Sequence, residues 1–296
     1  MRQPRHLVPR RVLPRAVAGC ARAARPRLAR ADAPAAPAHP TAGIAAELAR
    51  ASQRGQFRLV YQPICSMREP APPAFEALLR WDHPWLGSVA PDDFIGLAEH
   101  NGLILDIGDW VFRSAAEECL RLRRATDLPV RVAVNVSALQ LASRAAMQLW
   151  LRHLHGIGLP ADALTLEITE RVMSRRPEAM CEHLAELRAA GLRISLDDFG
   201  TGYSNLAMLG QAPIDTLKLD RSLTRCLADS QRHRTIARSI VELAHQLRIQ
   251  VVAEGVENPA QAWISSEMGC DFAQGFWYGR PVPASQLALT ARTAVA

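Results

Sequence analysis

Beyond about residue 43 the chain repeats one rhythm: a short apolar, β-branched run, a polar residue, a loop, then a stretch with apolar residues at helical spacing. The runs are "FRLVYQPI", "AFEALLRW", "VRVAVNVS", "LTLEIT", "RISLDD", "DTLKLD", "QVVAEG" and "DFAQG", and between most of them lie helix-period segments such as 177–190 and 230–247. Eight strands alternating with helices predict an α/β fold, a (β/α)8 barrel of the TIM type. Only residues 65–73 separate the first two runs. A connection that short carries no long helix, so these runs are expected to pair as an antiparallel hairpin, giving a modified barrel with an antiparallel first strand.

In such a barrel the chemistry sits at the C-terminal ends of the strands, so the polar residues that close the runs are the informative ones. Asn135 follows "VAV", Glu167 follows "LTL", Asp197 and Asp198 follow "ISL", Lys218 follows "TL", Glu254 follows "VVA" and Gln274 follows "DFA", while Glu76 lies inside the second run. One acidic residue at a strand end is commonly just a helix N-cap. Six such ends gathered around one mouth by barrel closure form a stronger pattern. The set is rich in carboxylates, with amide and ammonium groups and neither histidine nor thiol, which suits Mg²⁺ or Mn²⁺ and poorly suits zinc or copper. Adjacent carboxylates at 197 and 198 could serve two ions, one carboxylate bridging. Two such ions lower the pKa of a shared water and clamp an in-line displacement at phosphorus.

Charge and composition change the picture in two places. The formal net charge is +6, but residues 1–40 hold nine Arg and one Asp, a net +8, which leaves −2 for the rest. The basic charge therefore belongs to an Arg-, Pro- and Ala-rich segment, residues 1–42, without apolar periodicity, expected to be disordered, and the folded domain is expected over 43–290. Within that segment "VAGC" resembles a lipoprotein cleavage site, but Pro14 and Arg15 interrupt the apolar stretch such a signal needs. No stretch approaches a membrane span. Six scattered cysteines without a CxxC pair fit reduced thiols, and the expected location is cytoplasmic. The second place is Lys218, the single lysine among 35 basic residues. Its compact ammonium can sit beside one oxygen where the broad arginine fork fits badly, so it could hold an attacking hydroxide or offset charge on a phosphorane.

"YQPI", "EALLRW", "PDDFIGLAE", "VAVNVS", "LEITE", "DDFGTGYSNL", "DTLKLDRS", "VVAEGVE" and "QGFWYGRP" together resemble, in order and over about residues 45–288, the EAL-domain cyclic di-GMP phosphodiesterases. The resemblance implies hydrolysis of one phosphodiester of cyclic di-GMP to the linear 5′-phosphorylated diguanylate (pGpG), with two Mg²⁺ or Mn²⁺ ions, inhibition by Ca²⁺, and a homodimer. Carried over position by position, it implies that Glu76, Asn135, Glu167 and Asp197 hold the first metal, and that Asp197, Asp198 and Glu254 hold the second. Glu254, Lys218 and Asp198 take the catalytic roles, with Glu254 also a general base and Lys218 contacting the nucleophilic water. Gln62, Leu78, Arg80 and Gln274 match substrate-contacting positions, Arg80 as a phosphate partner. Glu170 would anchor the loop "DFGTGYSN", and Glu257 would support the ligand geometry from outside. Asn205, Leu223 and Phe276 depart from the usual residues, and none of them is a ligand position.

Competing readings are weaker. "DFG" at 198–200 lacks the Gly-rich loop and HRD segment a kinase needs, and "GTG" lacks the spacing of a dinucleotide fingerprint. His83 reads as structural, and His153 and His155 cannot face one metal from a helix. The main alternative is a catalytically weak cyclic di-GMP-binding or protein-interaction module. Such modules usually lose metal ligands, and here all are present. A nucleic-acid or membrane partner for the basic segment has no further support in the sequence.

Overall fold

The computed structural model describes residues 40–68, 70–174, 177–200 and 209–293. Residues 1–39 of the expected tail and most of the loop "DFGTGYSN" fall outside them, while residues 40–42, expected in the tail, already belong to the helix Pro40–Ala51. Ten strands form one sheet: β1 (Phe57–Ser66), β2 (Ala74–His83), β3 (Gly87–Val89), β4 (Arg131–Asn135), β5 (Leu164–Thr169), β6 (Arg193–Phe199), β7 (Thr216–Leu219), β8 (Gln250–Ala253), β9 (Phe272–Gln274) and β10 (Val282–Pro283). Eight of them close into a barrel. β2, β4, β5, β6, β7, β8 and β9 run parallel, and β1 seals the ring, antiparallel to β2 on one side and to β9 on the other. Each of the eight apolar runs thus becomes a barrel strand. β3 and β10 are short additions that the run pattern did not reveal, β3 because three residues carry no period and β10 because it is two residues long.

Along each strand the alternation of period 2 sorts residues onto two faces. Val132 and Val134, Leu164, Leu166 and Ile168, Ile194 and Leu196, and Leu217 and Leu219 are buried in one apolar cluster together with residues of the surrounding helices. The intervening residues are largely polar and face the lumen: Asn135, Thr165 and Glu167, Ser195 and Asp197, Thr216 and Lys218. Helices supply the outer wall through their apolar stripes. Helix Ile104–Thr126 buries Ile104, Ile107, Val111, Phe112, Ala115, Cys119 and Leu122, and Phe112 stacks on Trp150 of helix Arg144–Ile157 at 4.2 Å between ring centroids. Leu48 and Ala51 of helix Pro40–Ala51 join the same core.

The helices start where cap chemistry permits. Ser137 and Gln140 form a reciprocal capping box directly after Asn135, and Ser143, Ser230 and Asn258 cap the helices that begin at Arg144, Gln231 and Pro259. Gly108 lets this first capped turn approach helix Ile104–Thr126, since a Cβ there would stand 1.8 Å from Gln140 Nε2. No helix among the described residues is long and apolar enough to cross a membrane.

Candidate active site

Register decides which side chains meet. β1 and β2 place Gln62 opposite Glu76, β4 and β5 place Asn135 beside Glu167, and Leu78 and Arg80 follow Glu76 on the same face of β2. Glu254 and Gln274 lie just past β8 and at the last position of β9. The result is one polar cluster around Lys218, which is 1% exposed. Its Nζ stands 2.8 Å from Glu254 Oε1, 3.1 Å from Glu167 Oε2, 3.3 Å from Asp197 Oδ2 and 3.7 Å from Glu76 Oε2. Glu76 in turn accepts from Asn135 Nδ2 at 2.7 Å and from Gln274 Nε2 at 2.6 Å, while Gln62 accepts from Gln274 and donates to the Gly279 carbonyl.

Asp197 and Asp198 pose a problem that strand geometry alone does not solve, because neighbouring residues of a regular strand point to opposite faces. A bulge resolves it. The pairing of β6 with β7 slips between Leu196 and Phe199, Asp198 turns to φ 59°, and its N–H donates to Asp197 Oδ1 at 2.8 Å. Both carboxylates thereby reach the mouth, and Asp197, Asp198 and Glu254 each offer an oxygen within 4.8 Å of the others. Phe199 then returns to the core, fully buried.

The electrostatics follow from crowding five carboxylates around one ammonium. Burial lowers the Lys218 pKa, but the carboxylates, Glu167 foremost, outweigh it and hold the ammonium charged well above the ordinary lysine value. For Glu76, burial favours the proton, yet Lys218 with the Gln274 and Asn135 hydrogen bonds prevails and keeps it below the usual carboxylate range. Glu167 goes the other way, raised well above that range chiefly by burial and then by its acidic neighbours. Burial also pushes Glu254 up to about 8, and burial with Asp197 and Asp220 raises Asp198.

This donor set fits divalent cations. Its oxygens are hard, negative charge exceeds positive, and two buried oxygens, Glu167 Oε2 and Gln274 Oε1, have no hydrogen bond among the described residues; Lys218 is close to the first without donating to it in good geometry.

The remaining expected residues distribute as follows. Arg80 and Leu78 are half-buried, with Arg80 Nη1 donating to the Leu79 carbonyl at 2.8 Å. Glu170 is buried at the start of helix Glu170–Ser174, and the loop it was expected to anchor lies almost entirely outside the described residues. Glu257 is exposed. Its backbone N–H donates to Gln261 Oε1, and no contact among the described residues ties its carboxylate to the cluster. Sequence reasoning missed Gly275, where a Cβ would lie 2.1 Å from the Val256 carbonyl oxygen; a glycine directly after Gln274 was the available signal. It also missed the Ser137–Gln140 box, legible as an S-x-x-Q spacing after Asn135.

The EAL domain family matches residues 45–281. The chain belongs to the EAL domain family. It is 43% identical over 242 residues to the Pseudomonas aeruginosa protein named cyclic di-GMP phosphodiesterase NbdA, covering 81% of this chain and 31% of that one. Over 241 residues it is 39% identical to the P. aeruginosa bifunctional diguanylate cyclase/cyclic di-GMP phosphodiesterase MucR, covering 81% and 35%. A solved structure of the PaMucR phosphodiesterase in complex with c-di-GMP is 40% identical and superposes with a TM-score of 0.77, over 83% of this chain and 99% of that one. The EAL chain thus spans about a third of the length of these curated relatives.

Proposed function

We propose that this EAL domain hydrolyses one phosphodiester of cyclic di-GMP, in a reaction that needs Mg²⁺ or Mn²⁺ and yields pGpG. The observation that carries the reading is the convergence of Glu76, Asn135, Glu167, Asp197, Asp198 and Glu254 on Lys218 at the mouth of the barrel. Relatives of around 40% identity named cyclic di-GMP phosphodiesterases support the substrate.

Glu76, Asn135, Glu167 and Asp197 would hold one ion, and Asp197, Asp198 and Glu254 the other. Bound there, the ions would polarise the phosphate and acidify the attacking water. The protein's own side chains do the rest. Arg80, on the same face as Glu76, pairs with a phosphate oxygen, and Gln62 and Leu78 shape the floor beneath the substrate. Glu254 takes the proton of the water as it attacks phosphorus, and the ammonium of Lys218 offsets the charge that builds on the equatorial oxygens. The P–O3′ bond breaks as the 3′ oxygen leaves and takes a proton from solvent water to become the 3′-hydroxyl, Glu254 returning its own proton to solvent afterwards. Gln274 holds Glu76 and the attacking water in line.

The deciding experiment incubates the purified protein with cyclic di-GMP in Mg²⁺, in Mn²⁺ and in EDTA, and resolves the products by chromatography. Conversion to pGpG with either ion, abolished by EDTA, is expected. Tight cyclic di-GMP binding without turnover under any ion would replace this reading with that of a binding module.

A further inference from the structure

The four carboxylates that approach Lys218 most closely are Glu254, Glu167, Asp197 and Glu76, at 2.8, 3.1, 3.3 and 3.7 Å. All four belong to the set that would hold the divalent ions, and the inference rests on that reading of the site. An oxygen held within 4 Å of an ammonium already has its charge partly offset, Asp197 Oδ2 also by a hydrogen bond from Nζ at 3.3 Å, and a monovalent cation within several ångströms of a divalent one repels it. The ammonium therefore stands in competition with the ions for the same oxygens. We infer that Lys218 is the resident counter-ion of the metal-free site, and that divalent ions bind by taking carboxylate oxygens away from it.

Two consequences follow from the geometry. A buried acidic cluster without a cation would carry uncompensated charge, so the lysine lets the metal-free protein keep its barrel intact. Metal loading then frees the ammonium from Glu254 and Glu167, and its long flexible stem allows it to turn toward the phosphate. Metal occupancy and presentation of the cation to the substrate become one coupled event. Arginine, with its planar fork and fixed donor directions, could neither sit among four converging carboxylates nor turn in so confined a space. That supplies a physical reason for the only lysine in a chain of 35 basic residues.

The same singularity makes the test direct. Protein grown with ε-¹⁵N-lysine gives one side-chain ammonium signal, that of Lys218. In EDTA this signal is expected to be sharp and slow to exchange with water. Titration with MgCl₂ should shift it and speed its exchange, with the midpoint found by calorimetry for Mg²⁺ binding. Lys218→Met keeps the length of the side chain and removes its charge. It should bind Mg²⁺ about tenfold or more tightly than the wild type, the effect of deleting a nearby like charge, and should unfold more readily in EDTA. If neither protein binds Mg²⁺ or Mn²⁺, the metal reading and this inference fall together. If the wild type binds but the variant binds equally or more weakly, the counter-ion role alone is overturned. Should the variant fail to fold, the wild-type signal decides: an ammonium resonance unmoved by saturating Mg²⁺ overturns the inference.

Discussion

A methyl group at position 275 has no room. A Cβ built on Gly275 stands 2.1 Å from the oxygen, 2.3 Å from the nitrogen and 2.6 Å from the carbonyl carbon of Val256, whereas carbon contacts are comfortable near about 3.5 Å. All three atoms are backbone, so no side-chain rotation relieves the overlap in Gly275→Ala. The segments after β8 and β9 must separate by about 1 Å or more. That separation weakens two hydrogen bonds, Val256 N–H to the Gln274 carbonyl at 3.1 Å and Trp277 N–H to the Val256 carbonyl at 3.0 Å. At about 1 kcal/mol each, added to about 1–3 kcal/mol of overpacking, the cost is about 3–5 kcal/mol. For a domain of this size that corresponds to a fall in Tm of roughly 5–20 °C. The displaced strand end carries Gln274, whose amide lies 2.6 Å from Glu76, and a misplacement of about 1 Å there should slow turnover on the order of 10²-fold. Thermal unfolding in EDTA and in Mg²⁺, with pGpG formation measured alongside, reads both effects. Gly156→Ala is the control: it lies in helix Arg144–Ile157 with nothing within 4 Å of the added methyl, and should be neutral or stabilising by about 0.5–1 kcal/mol. A Gly275→Ala protein with wild-type Tm and turnover would refute the claim that this close approach sets Gln274.

Other substitutions probe the site from different sides. Glu76→Ala removes an oxygen pair that accepts from Asn135 and Gln274 and faces Lys218, so turnover should fall by more than the roughly 10–100-fold typical of outer-shell changes; unaltered Mg²⁺ affinity by calorimetry would contradict its place as a ligand. Arg80→Ala should raise KM for cyclic di-GMP by about 10–100-fold, the weight of a charge-assisted hydrogen bond, with little change in Tm; an unchanged KM would remove Arg80 from the phosphate. Burial pushes the Cys119 and Cys270 thiols up to about 12, so the reactive thiolate forms only at strongly alkaline pH. Both should resist alkylation at pH 8 until the protein unfolds, as peptide mass spectrometry would show, and rapid labelling of either in the native protein would contradict the packing.

Much of the barrel is legible in the sequence, for a physical reason visible in the strands. Where β5, β6 and β7 alternate apolar and polar residues, the period of 2 announces a strand, and the polar member at its C-terminal end announces a site, because the lumen of a closed barrel is lined by one face only. Less of the site was legible where the backbone departs from that rule. Asp197 and Asp198 read as ligands by residue type and adjacency, but strand alternation would turn one of them away; the bulge at φ 59° brings both to the mouth. Glu257, which the family resemblance implies as a supporter of the cluster, is exposed, and no contact among the described residues ties its carboxylate to it.

The amino-acid pattern by itself determined the order of the elements, the antiparallel entry that its short first connection requires, and the kinds of atom available for chemistry: carboxylates, amides and one ammonium. Those are local properties, written in periodicity, loop length and residue type. Distances between side chains far apart in the chain are not local. The 2.8 Å from Lys218 to Glu254 and the 2.6 Å from Gln274 to Glu76 depend on strand register, on the bulge in β6 and on glycines that let backbones touch. Only ring closure, with β1 inserted between β2 and β9, sets all of these together.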